Sequence, residues 1–282
     1  MNYLPTSIKL NKTHKIVMLG EVELTTNLEI SPIKRSTESN MFKDELPRIS
    51  IILPVHNEAK VIEKNLVQIV DYVEKFFESY QIIVAEDGSN DATEPIAKRL
   101  AEINPRIIHI HSDTRLGKGR ALKRAFKITN EKIVTFMDID LASSLEQLPL
   151  LARMIEEGFT LALGSRSIKG SEVRRPPIRK MASKIYNLLV RLLFRDGIHD
   201  HQCGFKAFNR DLILPLLDEI KDNGFFFDTE LIIRAKRRGH SIVEVPVEWE
   251  EPEGRESKFR LVRDGIKILR DLFKLRIALW MS

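Results

Sequence analysis

From residue 48 onward, apolar and polar positions follow two alternating rhythms. Ile49–Val55 is a continuous apolar run that includes Pro54 near its end, the pattern of a strand buried on both faces. Val61, Leu66, Ile69, Val70, Val73 and Phe77 then recur at helical spacing. The pair repeats: a strand over 81–85 and a helix through Leu100, a strand over 107–110 and a helix over 119–128. A strand over 132–137, a helix near 145–157 and a strand over 159–164 follow. This alternation predicts an α/β domain, a mostly parallel, doubly wound sheet flanked by helices, over residues 47–257. Residues 1–46 are polar, carry no sustained period and read as an extension. Met41, just ahead of the first strand, is a candidate start of the functional chain.

In such sheets ligands bind beyond the carboxyl ends of the strands. The residues that follow the strands are therefore informative: Pro54-Val55-His56-Asn57-Glu58, then Glu86-Asp87-Gly88-Ser89, then Arg115-Leu116-Gly117-Lys118-Gly119, then Asp138-Ile139-Asp140. Polar, acidic and glycine-rich residues collect at one edge. No G-x-G-x-x-G follows the first strand, which excludes a dinucleotide-binding fingerprint, and Ser112 stands where a P-loop needs glycine. Gly117 and Gly119 suit a tight turn into a helix start, whose N–H groups can face an anion. Asp138 and Asp140, at i and i+2 where a strand ends, can converge on Mg²⁺ or Mn²⁺ and leave positions for phosphate oxygens. The competing reading is a helix N-cap followed by a solvated acid.

Taken in order, Pro54-x-x-Asn57-Glu58, Glu86-Asp87-Gly88-Ser89, Gly117-Lys118-Gly119, Asp138-x-Asp140 and Gly164-Ser165-Arg166 resemble family 2 glycosyltransferases of the GT-A fold. Downstream, Asp200-His201-Gln202-Cys203-Gly204-Phe205-Lys206, Phe227-Asp228-Thr229-Glu230, Glu244-Val245-Pro246-Val247 and Gly254-x-x-Ser257-Lys258 resemble the polyprenyl-phosphate branch. Dolichyl-phosphate glucosyltransferases are most similar and dolichol-phosphate mannose synthases next. The resemblance implies inverting transfer of a hexose from a nucleotide sugar, with Mg²⁺ or Mn²⁺, to a polyprenyl or dolichyl phosphate. It implies that Pro54, His56, Asn57, Glu58 and Asp87 hold the nucleoside, Glu58 at the ribose and Asp87 at an imide N–H. Asp138 and Asp140 would address ribose, metal and diphosphate, with Ile139 between them. Lys118, Arg166, Gln202, Ser257 and Lys258 would face the donor's anionic part, and Asp228 is the candidate catalytic residue. Three positions depart from the family pattern: His56 replaces an aromatic, Arg115 an asparagine, and Ala142 the glutamine usual in mannose synthases. The last favours UDP-glucose over GDP-mannose; a family 2 transferase acting on a glycan hydroxyl is a further alternative.

Composition changes this picture in two places. The net charge is +5, from 45 basic and 40 acidic residues, too balanced for a general nucleic-acid binder. Yet residues 166–184 and 258–282 hold more than the whole excess. In the first, a basic loop broken by Pro176-Pro177 leads into Leu188, Leu189, Leu192, Leu193 and Phe194. In the second, Val262, Ile266, Leu269, Phe273, Ile277 and Trp280 form a helical stripe beside Arg263, Lys267, Arg270 and Lys274. Both suit an anionic membrane surface, with 258–282 as a basic amphipathic helix lying on it. No apolar run approaches a membrane span, the N-terminus lacks a secretory h-region, and a single cysteine, Cys203, excludes an internal disulfide. The expectation is a peripheral protein on the cytoplasmic face of a membrane. His109-x-His111 and His199-x-His201 have metal-like spacing; the first pair reads as structural, while His201, inside the acceptor motif, is placed for an indirect contact with that site.

Overall fold

The computed structural model describes residues 47–252 and 261–280. The proposed extension over 1–46, Ser257 and Lys258 lie outside the described residues. Seven strands form the main sheet: β1 (Ile49–Val55), β2 (Tyr80–Glu86), β3 (Ile107–Ile110), β4 (Ile133–Met137), β5 (Leu161–Ser165), β7 (Phe205–Asn209) and β8 (Ile242–Pro246), in the order β3-β2-β1-β4-β7-β5-β8. β6 (Glu172–Arg174) pairs in parallel with β9 (Glu248–Glu250) as a small separate sheet.

Strand alternation divides the core into two layers. Ile49, Ile51 and Leu53 of β1 pack with α1 (Ile62–Phe76), α2 (Thr93–Ile103) and α4 (Leu148–Glu156). Ile52 faces the other way, toward α3 (Lys118–Ile128), α6 (Arg210–Leu217) and α7 (Phe227–Arg237). Burial on both faces is why the strands read as unbroken apolar runs. A third cluster joins α7 to α5 (Pro177–Phe194) and α8 (Leu261–Trp280) through Val190, Phe226, Ile233, Ile268, Leu272, Leu275 and Leu279.

The alternation of the first half contains no hint of β7. This strand runs antiparallel between β4 and β5, so those consecutive strands are not neighbours. Its first residue, Phe205, pairs with Met137, the last of β4. The segment before β7 is thereby brought across the carboxyl end of the sheet, beside Asp138.

Candidate active site

The ends of β1 and β2 are sewn together. His56 Nδ1–H donates to the Asp87 carbonyl (2.9 Å), Asn57 N–H to Ser89 Oγ (3.0 Å), and Asn90 N–H to Asn57 Oδ1 (2.9 Å). Asn57 holds φ +53°, a left-handed conformation that asparagine tolerates better than most residues. Glu58 is buried; its N–H donates to Thr93 Oγ1 (2.7 Å) and its carbonyl accepts from Val61 and Ile62 at the start of α1. Pro54, within β1, is half-buried. Asp87 is committed more heavily to structure than its motif suggests: its two carboxylate oxygens accept from the N–H groups of Leu116 (2.7 Å) and Gly117 (2.9 Å). It thus clamps the loop that starts α3. Gly117 has φ +101°, and a Cβ there would meet Asn223 O at 2.3 Å.

The Asp138-x-Asp140 turn is built from the core outward. The Ile139 side chain is buried among the β1 and α4 residues, and its carbonyl accepts from Asn65 Nδ2 (2.8 Å). Ile139 therefore anchors the turn and offers its side chain to no ligand. Asp138 and Asp140 line a recess with Met137, Ala142, Ser143, Gly204 and Trp249. Asp140 Oδ1 accepts from Ala142 N–H (3.1 Å), and Leu141 is left-handed at φ +54°, a conformation costing a leucine about 1–3 kcal/mol. The N-cap reading fails, because the following helical turn is capped by Ser144. Two hard carboxylate donors beside solvent are a set suited to Mg²⁺ or Mn²⁺.

Cations surround these carboxylates. Lys118 Nζ lies 2.9 Å from Asp138 Oδ1. Burial alone would lower the Lys118 pKa, but Asp138, Asp228 and Asp140 together raise it, so the ammonium is firmly charged. Lys206 is fully buried, donates to the Cys203 carbonyl and sits 3.3 Å from Asp228 Oδ1. Both lysines lie over the Phe136 ring, at 5.3 and 5.2 Å from its centroid. Asp228, in the first turn of α7, is 4% exposed. Glu230 turns away: it accepts from Lys221 and Asp222 N–H and pairs with Arg234.

Arg166, expected to reach anionic oxygens, is held in a bidentate pair with Asp200. The distances are 2.7 Å from Nε to Oδ2 and 3.0 Å from Nη2 to Oδ1, with the Arg166 backbone N–H also on Oδ2. Gln202 N–H donates to Asp200 Oδ1 (3.2 Å). Burial opposes the Asp200 charge, yet Arg166 more than compensates and holds its carboxyl well below the usual carboxylate range. Asp200→Asn leaves a buried guanidinium unpaired and is expected to cost about 3–5 kcal/mol, read as a lower Tm. Because the folded pKa is depressed, the pair's contribution is complete above the ordinary aspartate pKa of about 3.9 and fades as pH falls toward the folded value. The Tm gap between wild type and Asp200→Asn should therefore be constant from neutrality to about pH 5 and shrink below about pH 4. A gap unchanged in strong acid would contradict this assignment.

Three participants were given no role by the motif reading, which quoted Gly204 and Lys206 but not Trp249. Trp249 is bridged to Ser143 and lies under the guanidinium groups of Arg166 (5.5 Å) and Arg175 (5.1 Å). Lys206 was visible as a charge inside an apolar strand. Gly204 is required outright: a Cβ there would stand 1.9 Å from Asp138 Oδ2. His201 is no metal ligand; fully buried, it bonds Asn187 and Asp196 and ties α5 to the following loop. His199 pairs with Glu244. Cys203 is buried, and burial pushes its thiol pKa up, as a packed residue requires.

With this geometry in view, similarity is informative. The family described as glycosyl transferase family 2 matches residues 50–216. The chain belongs to glycosyl transferase family 2. Among family 2 relatives, glycosyltransferase AglD of Haloferax volcanii is 42% identical over 236 residues; the match covers 81% of this chain but 38% of AglD. Polyprenol monophosphomannose synthase of Mycolicibacterium smegmatis is 33% identical, with 83% and 86% covered. Dolichyl-phosphate beta-glucosyltransferase of Saccharomyces cerevisiae is 32% identical, with 83% and 76% covered. The crystal structure of glucosyl-3-phosphoglycerate synthase from Mycobacterium tuberculosis superimposes with a TM-score of 0.61 at 21% identity, covering 82% of this chain and 79% of that one. The family 2 fold is of the GT-A type, as the ordered motifs implied.

Proposed function

We propose that the protein transfers a hexose, with inversion, from a nucleotide sugar to a polyprenyl phosphate at the cytoplasmic face of a membrane, and that UDP-glucose is the donor. The observation that carries this reading is the state of Asp228. A sugar hydroxyl acceptor needs a general base. Asp228 is buried and engaged by Lys206, an arrangement that holds a charge in place. A phosphate monoester has a second pKa of about 6 and arrives ionised at pH 7, so positioning and charge screening suffice. The relatives dolichyl-phosphate beta-glucosyltransferase and polyprenol monophosphomannose synthase support this reading.

In this account the sewn β1 and β2 ends hold the nucleoside, with Glu58 facing the ribose. Asp138 and Asp140 hold Mg²⁺ or Mn²⁺, which when bound supplies positive charge against the leaving diphosphate. Lys118 adds a fixed positive charge beside Asp138. Arg175 is suited to the acceptor phosphate. Its Nε is buried without a hydrogen-bond partner, 3.9 Å from Glu251 Oε2, and burial, aided by Arg166, pulls its pKa down to about 10; an arriving anion would raise it again. Ala142, lining the recess, leaves the glucosyltransferase pattern intact.

The lipid approach is along α5 and α8. Each helix packs one face into the third core cluster and leaves apolar side chains outside: Ile178, Met181, Ile185, Leu188 and Leu192 on α5, and Leu269, Phe273, Ile277 and Trp280 on α8. Trp280 is 81% exposed. No helix among the described residues is long and apolar enough to cross a membrane. Burying each such side chain in the interface contributes about 1.5–3 kcal/mol. Leu192→Glu with Phe273→Glu should therefore reduce binding to anionic vesicles at least about 100-fold; undiminished sedimentation with vesicles would contradict the surface.

The function is tested by incubating the full chain with polyprenyl phosphate in vesicles and UDP-glucose, UDP-GlcNAc or GDP-mannose side by side. Labelled lipid from UDP-glucose is expected. Labelled lipid from GDP-mannose alone would overturn the donor, and no transfer from any donor would overturn the reading.

A further inference from the structure

The ends of β2 and β3 bring a second donor set together, away from the acidic recess. His109 lies on β3 and His111 two residues on, so their side chains leave the same face. The register sets Val84 beside His109 and Ala85 beside Ile110, which carries Glu86 next to His111. One potential ligand atom from each of Glu86, His109 and His111 lies within 4.8 Å of the other two.

The three side chains are unequal in a useful way. Glu86 is buried; Oε1 accepts from Ser89 N–H (2.5 Å) and Oε2 faces His111 Nδ1 (2.5 Å). His109 Nε2 is shut off from solvent without a hydrogen-bond partner, an unfavourable state for a buried polar atom. His111 is partly exposed, and its Nε2 lies 3.3 Å from Asp113 Oδ1. That outer hydrogen bond fixes the tautomer and orientation a metal-bound imidazole needs.

We propose that Glu86, His109 and His111 bind a borderline divalent cation of the zinc class, with solvent water as fourth ligand. Two imidazoles and one carboxylate are a zinc-type donor set, whereas Mg²⁺ takes oxygen ligands and belongs with Asp138 and Asp140. Closure to a tetrahedral site with bonds of about 2.1 Å needs a small inward shift, for which exposed His111 has room. Binding displaces the proton from His111 Nδ1. The cation would fix Glu86, which holds the Ser89 turn, whose hydroxyl receives the Asn57 N–H. The ion thus stiffens the loop pair beside the proposed donor site without touching the reacting groups.

Co²⁺ reports such a site through its visible tetrahedral absorption. The full-length wild type and Asp140→Asn, titrated with CoCl₂ in excess MgCl₂, are both expected to show the bands at about one ion per chain, displaced by equimolar Zn²⁺. His109→Asn and, separately, His111→Asn should lose them. Solvent-facing His111 can be replaced without disturbing the core, and an unchanged circular dichroism spectrum verifies it. Absence of the bands in wild type, their persistence in His111→Asn, or their loss in Asp140→Asn would each overturn the proposal.

Discussion

Asp140→Asn is expected to reduce sugar transfer by at least about 10³-fold, because in the proposed site the metal it would help hold would supply several kcal/mol of charge stabilisation to the leaving diphosphate. The fold should survive, since Asp140 lies at an open recess and the one backbone group it is seen to hold there, Ala142 N–H, can still donate to an asparagine oxygen. Asp228→Asn provides the contrast. A general base contributes about 10²–10⁴-fold; if the acceptor arrives ionised, Asp228→Asn should keep transfer within about 10-fold of wild type per folded molecule. Its main effect should be a lowered Tm, because Lys206, fully buried, loses its carboxylate partner. Rates measured below the lowered Tm separate the two effects. Equal, complete loss in both variants would refute the argument that no base is needed.

Gly204→Ala should damage the acidic turn directly. The added Cβ would stand 1.9 Å from Asp138 Oδ2 and 2.5 Å from its Cγ, so the whole carboxylate must move. Asp138 has little freedom to do so, with Oδ1 held by Lys118 and its own N–H donating to the Gly204 carbonyl. A displacement of about 1 Å at a positioned group can cost 10²-fold in rate, and the overpacking costs about 1–3 kcal/mol of stability. Gly158→Ala is the matched control: φ is +99° but nothing lies within 4 Å of the added atom. It should lose about 1 kcal/mol through backbone strain and none of the activity. Transfer by Gly204→Ala at the Gly158→Ala level would show that Asp138 tolerates the shift.

How much of this was legible follows from what each residue depends on. β1 to β5 were readable because strands buried on both faces are apolar throughout, and the observed ends differ from the expected ones by a residue or two. β7 was not, because it is only five residues long, with Lys206 second and Asn209 last. Its burial depends on Asp228, which approaches from α7. The acidic turn was found, but the division of labour within it was hidden: Ile139 points into the core while its neighbours face the recess. Arg166 was placed near the site, yet its partner Asp200 lies 34 residues away, beyond any local pattern. Asp87 was read for ligand chemistry, while its backbone contacts at Leu116 and Gly117 depend on a turn no sequence period reveals. On α8 one apolar stripe was expected; the helix carries two, with Ile268, Leu272, Leu275 and Leu279 inward and Leu269, Phe273, Ile277 and Trp280 outward.

The ionisation state of the acceptor is the centre of the account, and one comparison reads it directly. Polyprenyl phosphate and the corresponding free polyprenol, in identical vesicles with labelled UDP-glucose and MgCl₂, differ in the phosphate that Arg175 would meet and in whether a proton must be removed for attack. The account predicts labelled product from the phosphate and none from the alcohol. Transfer to the alcohol at a comparable rate would require a competent general base and would contradict it.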